Sequence, residues 1–190
     1  MAEVVRLRLL YDAVVNGHDA ERYWDPMPHL DARLDLAATF RGRWHERNWR
    51  NVPGPVYGAE TDNCWVGRLH APRHVLYGDD NDYGQEFLYR QPNSIDELRA
   101  VVDAVQADPV AGWACDGDDH WTPALVRQWW RDRSRLRDWI TAELGRCSVS
   151  DRADEREVAT GLADYLAYLD GDLEGHLWAY CEFLDHRAGR

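Results

Sequence analysis

The chain has no lysine. All 22 basic residues are arginine, a bias that reads as the nucleotide composition of the source genome rather than as function. Cysteine is scarce and unclustered: Cys64, Cys115, Cys147 and Cys181 form no C-x-x-C pair. That leaves an iron–sulfur cluster or a zinc knuckle without support. Cys64 and Cys115 stand on short apolar runs and read as buried packing residues. Long hydrophobic runs are missing too. MAEVVRLRLLYDAVVNG is broken by Arg6, Arg8 and Asp12, so it is no signal peptide, and nothing approaches a membrane span. The expected location is cytoplasmic, with reduced thiols. No G-x-S-x-G, Walker or dinucleotide-binding glycine pattern occurs, which leaves the standard hydrolase, nucleotide and NAD readings without support. Positive charge is also in deficit: the formal net charge is −12. Non-specific nucleic-acid binding by the whole surface is therefore not expected, because phosphate attraction needs positive faces.

What is present describes a packed protein. Hydrophobic residues make up 45% of the chain, with 10 Trp and 9 Tyr, enough to build a core. At 190 residues one domain, 1–190, is expected. It has a helical N-terminal part over 1–53, a sheet-containing part over 54–121 and a C-terminal helical layer over 122–190. Charge divides along similar lines. Residues 54–121 hold 13 acids and 4 Arg, whereas 122–144 hold 5 Arg and 3 acids.

Periodicity predicts helices over 3–15 and from about 30 to 50, the second with Leu30, Leu34, Ala37, Phe40 and Trp44 on one face. Short apolar or aromatic runs at 64–70, 74–77 and 85–91 read as antiparallel strands, and 110–115 as a fourth. Ser94 and Glu97 form a capping box opening a helix to about Gln106, with Ile95, Leu98, Val101, Val102 and Val105 inward. Thr122-Pro123 starts a helix expected to reach Leu144. A final apolar seam from Val158 to Leu184 fits one long helix or two broken near Gly171. The fold class is α+β: a three- to four-stranded, mainly antiparallel sheet with helices, and a C-terminal pair of long helices.

Two stretches nominate a site. In GRLHAPRH, a hairpin loop at 71–73 would place His70 and His74 opposite one another, about 5 Å apart at Cβ. Topology would then bring CDGDDHWTP to the same sheet end, joining Asp116, Asp118, Asp119 and His120. Mixed His/Asp ligation suits a divalent metal, Zn, Mn or Fe(II), able to acidify a bound water for hydrolysis. Two ordinary polar turns explain the same residues.

Other stretches suggest binding. GDDNDYG (78–84) fails the calcium-loop pattern, since Tyr83 stands where Asp or Asn is wanted. Its Asp79, Asp80 and Asp82 suit a basic protein partner. RGRWHERNWR (41–50) has the basic-plus-aromatic make-up of phosphate or single-strand binding, but reads better as an amphipathic helix end with Trp inward. Arg127, Arg131 and Arg135, joined by Arg133 and Arg137, would grip an anionic partner or form an internal seam with Asp151, Asp154, Glu155 and Glu157; the seam is preferred. Trp129 and Trp130 diverge by about 100° on a helix, so one of them, Trp130, is expected to be exposed or to meet a partner.

The run NWRNVPGPVYGAETDNCWVGRLHAPRHVLYGDD, with YWDPMPHL before it and QEFLYRQP and CDGDDHWTP after it, resembles a family of small uncharacterised actinobacterial proteins, some labelled ferredoxin. The absent cysteine cluster departs from a ferredoxin, and the resemblance implies no activity. The leading expectation is an acidic, Trp-rich protein-binding module of the inhibitor, immunity or adaptor kind, recognising a basic partner, with no nucleic acid and no membrane involved. The alternative is the small metal-dependent enzyme.

Overall fold

The computed structural model describes residues 23–78, 80 and 84–189; the expected helix over 3–15 lies outside them. Along the chain come α1 (Leu36–Thr39), β1 (Tyr57–Gly58), α2 (Gly67–His70), β2 (Val75–Tyr77), β3 (Glu86–Leu88), α3 (Ile95–Ala107), β4 (Trp113–Ala114), α4 (Gly117–His120), α5 (Pro123–Arg131), α6 (Arg133–Ser148), α7 (Ala153–Asp170) and α8 (Leu173–Ala188). The class is α+β, but the three- to four-stranded sheet is not there. Among the described residues the strands form two antiparallel pairs, β1 with β4 and β2 with β3.

The reason lies in buried polar side chains that take over ladder bonds. Asn51, 3% exposed, accepts from the N–H of both Gly58 (2.9 Å) and Leu88 (2.8 Å) through Oδ1. Its Nδ2 donates to the Gly58 carbonyl at 2.8 Å. One amide thus stitches β1 to β3 where a continuous sheet would use backbone. The 64–70 run is no strand either. Glu86 accepts from Gly67 N at 2.8 Å and the Tyr77 hydroxyl from Arg68 N at 3.0 Å, satisfying first-turn donors that a helix leaves open. The turn of α2 results.

The helix expected over 30–50 is replaced by α1 and one 3-10 turn, Trp44–Glu46, with a second such turn, Met27–His29, ahead of it. Its backbone has other partners: Arg41 N bonds Ala111 O, Gly42 N bonds Trp113 O and Asn48 N bonds Gly58 O. Gly112 is pressed onto the backbone of Glu60, where an added Cβ would lie 2.1 Å from the carbonyl oxygen. Gly112→Ala is expected to cost about 2–3 kcal/mol, as overpacking does. Gly145→Ala, on α6 with nothing within 4 Å, is expected to gain up to about 1 kcal/mol from helix propensity. Paired chemical denaturation curves check both signs.

The capping signals hold. Ser94 Oγ accepts from Glu97 N, and Thr122 Oγ1 from Leu125 N. Along α3 the inward set is Leu98, Val101, Ala104 and Val105; Ile95 is 47% exposed and Val102 half-buried. The helix from Thr122 breaks at Asp132, because its two halves pack differently: α5 lies against α8 and α6 against α7. The apolar seam from Val158 resolves into α7 and α8, broken at Gly171 and Asp172. One apolar cluster runs from Val52 to Leu184 and joins the strands to α7 and α8. Its tyrosines are tethered by their hydroxyls: Tyr89 to Asp164, Tyr165 to the Arg50 carbonyl and Tyr180 to Asp118, each within 2.8 Å. Among the described residues no helix is long and apolar enough to cross a membrane.

Candidate functional site

The six nominated metal ligands divide into separate settings. No hairpin loop exists at 71–73: β2 pairs with β3 instead, and His70 ends α2 facing solvent. His74 is 2% exposed. Its Nδ1 lies 2.9 Å from the Arg90 carbonyl, and burial lowers its pKa, which favours the neutral ring. Asp118 is buried, accepting from Tyr180 at 2.7 Å and from Arg187 at 3.1 Å; Asp119 pairs with the same Arg187. Burial raises the Asp118 pKa despite those donors. Asp116 and His120 contact one another, 3.1 Å apart, with Tyr57 donating to the other Asp116 oxygen at 2.7 Å. Among the described residues no group of three or more His, Cys, Asp or Glu is placed to hold a metal ion.

The acids nominated for a partner fare similarly. Asp80 accepts from Arg50 at 3.0 Å and from the Trp49 indole at 3.1 Å, with Arg135 at 3.9 Å. It is exposed, yet engaged by these donors at the surface. Asp79 and Asp82 lie outside the described residues. Trp130 is half-buried, as is Trp129, so neither stands fully exposed. The Trp130 indole donates to Glu174 at 3.2 Å, and Arg133 lies 4.2 Å over its ring. Two further central acids face inward: Glu86 is 0% exposed and Asp108 5%. Asp108 accepts from the backbone of Gly112 and Val110. The nominated seam residues pair elsewhere: Glu155 with Arg146, Arg137 with Asp170 and Glu157 with Arg68. Cys64, expected buried, is exposed; its amide caps onto Asp62 at a turn, which turns the side chain outward.

What the fold assembles is the two arginine- and tryptophan-rich stretches, 41–50 and 127–139. The Trp129 indole donates to the Trp49 carbonyl at 3.4 Å, and Arg135 lies 3.8 Å over the Trp49 ring. Arg50 sits 4.4 Å from Trp49 and 4.5 Å from Trp139. On the other side Arg47 lies 3.9 Å over Trp44 and 5.5 Å from Trp121. His120 also stacks on Trp44, 4.8 Å between centroids. A cavity of about 50 Å³ opens between these groups, walled by Arg47, Trp121, Trp49, Trp129 and Tyr57. Guanidinium–aromatic stacking is worth about 0.5–2 kcal/mol a contact. It also holds each cation in place without neutralising it.

Arg47 differs from its neighbours. Arg43 pairs with Glu46, Arg50 and Arg135 with Asp80. Arg47 is half-buried, makes one hydrogen bond, to the Trp44 carbonyl at 3.2 Å, and pairs with no carboxylate among the described residues. Burial lowers its pKa, with the Tyr57 hydroxyl acting the other way. A guanidinium stays charged regardless, so a partly desolvated cation faces the cavity. The sequence contained the signal, in RGRWHERNWR; the helix assigned to it hid the outcome by pointing Trp and Arg to opposite faces.

A wider groove of about 660 Å³ runs between residues 29–34 and α3, floored by Leu98 and Val102. Its charged lining residues are Asp31, Arg33, Arg99 and Asp103, with Arg33 paired to Asp31. Comparison with family models, with curated proteins and with solved structures finds no match to the chain.

Proposed function

We propose that the protein is a protein-binding module of the inhibitor or adaptor kind, and that its recognition surface is the arginine–tryptophan seam. The observation that carries this reading is the meeting of residues 41–50 with residues 127–139, through Trp129 on Trp49 and Arg135 over Trp49. Tryptophan and arginine are the residues that most often dominate binding energy at protein interfaces. Here they are pre-ordered by stacking, which lowers the entropy lost on binding.

The seam favours an acidic segment of a partner. Residues 41–50 carry Arg41, Arg43, Arg47 and Arg50 against Glu46 alone. The basic partner expected from net charge depends on free acids, and Asp80, the described member of the acidic loop, is engaged by Arg50. A long polyanion such as single-stranded nucleic acid is disfavoured by a net charge of −12.

A random-peptide display selection against the immobilised full chain tests the reading. Enriched peptides are expected to be rich in Asp and Glu and to lose at least about tenfold in affinity on Arg41→Gln/Arg135→Gln, both exposed positions, a loss of about 1.4 kcal/mol. Enrichment of basic peptides overturns it. So does an acidic set indifferent to the double variant, or tighter binding of oligothymidylate.

A further inference from the structure

We infer that Arg47 is a receptor for a single carboxylate, and that the cavity beside it seats that group. The inference rests on the seam as recognition surface and names what its centre binds. A guanidinium has five N–H donors, and Arg47 engages one partner within the chain, the Trp44 carbonyl. One face is covered by the Trp44 ring at 3.9 Å, so the remaining N–H groups are the route by which a ligand can bond it. Arg47 lines a space of about 50 Å³, small enough to admit the two-oxygen head of an Asp, Glu or chain terminus and little more.

The walls fit that ligand. Trp121 and Trp129 supply ring surface for the methylenes of an acidic side chain. The Tyr57 hydroxyl is committed to Asp116 at 2.7 Å, and the Asn51 side chain to Gly58 and Leu88, so neither offers a competing donor. A planar carboxylate meets a guanidinium through two parallel hydrogen bonds, a charge-assisted geometry roughly twice as strong as a neutral bond. A tetrahedral phosphate carries a third and fourth oxygen that this space does not solvate. Asp116 also works against a doubled charge concentrated on one head group, as in a phosphate dianion, since its carboxylate reaches the same cluster through Tyr57 and His120.

Titration with glutarate, read by the indole N–H signals of Trp44 and Trp121 in two-dimensional NMR at constant ionic strength, tests the site. Shifts are expected with a dissociation constant on the order of millimolar. Arg47→Gln is expected to weaken binding at least tenfold and Arg47→Lys less, because lysine keeps the charge and loses the fork. Matched melting curves show that both variants fold. Equal shifts with inorganic phosphate overturn the inference, as do shifts unchanged in Arg47→Gln, or none at about 100 mM, well beyond a millimolar constant. The two failures are distinguishable. Acidic peptides that bind the seam without Arg47 sink the receptor and leave the seam. Glutarate that binds Arg47 while basic peptides are selected does the reverse.

Discussion

Replacing Glu86 by glutamine is expected to remove a pH-dependent loss of about 3 kcal/mol in stability. Burial pushes the Glu86 carboxyl up to about 7 from its ordinary 4.5, and Gly67 N opposes that shift by donating to it. Asp62 and Asp108 add repulsion. Oε2 has no hydrogen-bond partner; the Trp113 indole N–H faces the carboxyl without closing a bond of ordinary length. The sign follows from linkage. A group whose folded pKa lies above the unfolded one stabilises fully below about 4.5, and that stability drains away as pH rises through about 7. Each unit of difference is worth 1.36 kcal/mol. Urea denaturation of both proteins at about pH 4 and about pH 8 should therefore show their difference moving by about 3 kcal/mol in favour of Glu86→Gln. A difference flat across that range refutes the buried-acid account.

The second large effect belongs to Asn51. Asn51→Ala is expected to cost about 4 kcal/mol, since it strands the buried N–H groups of Gly58 and Leu88 and removes the stitch between β1 and β3. Asn51→Asp separates the causes. It keeps the acceptor for both N–H groups but turns a second oxygen toward the carbonyls of Gly58 and Asn48. Its penalty is expected to shrink as pH falls and the carboxylate protonates. Thermal denaturation across pH checks the pair: identical, pH-independent losses for both variants would show that packing rather than hydrogen bonding sets the cost.

These two side chains also mark where reading the sequence stopped. Features decided locally were legible: the Ser94 cap, the Thr122-Pro123 start, the stop near Gly171 and the apolar seam of α7 and α8. Each depends on residues within a turn or two. The strand-rich part was not legible, because Asn51, Glu86 and Tyr77 replace backbone partners 7 to 37 residues away along the chain. Apolar runs at 64–70 looked extended for want of any local sign that a distant carboxylate and hydroxyl would cap them. The site followed the same rule. The residue types in 41–50 were right for binding an anion, but their assembly with Trp121, Trp129 and Arg135 rests on packing that no local periodicity encodes. The acids misled for the converse reason: composition counts charges and does not reveal that Asp118 and Glu86 are buried in the fold and that Asp80, though exposed, is paired with Arg50.

The bond from Tyr165 to the Arg50 carbonyl spans 115 positions, and it has a consequence for biosynthesis. Ribosomes add roughly 5–20 residues per second, so the strand region emerges several seconds before α7 exists to cover it. Until then Phe87 and Tyr89, which pack on Tyr165, stay uncovered on the nascent chain. Truncation ahead of α7 would leave Phe87 and Tyr89 uncovered, so the part of this chain before Ala153 is poorly suited to independent expression.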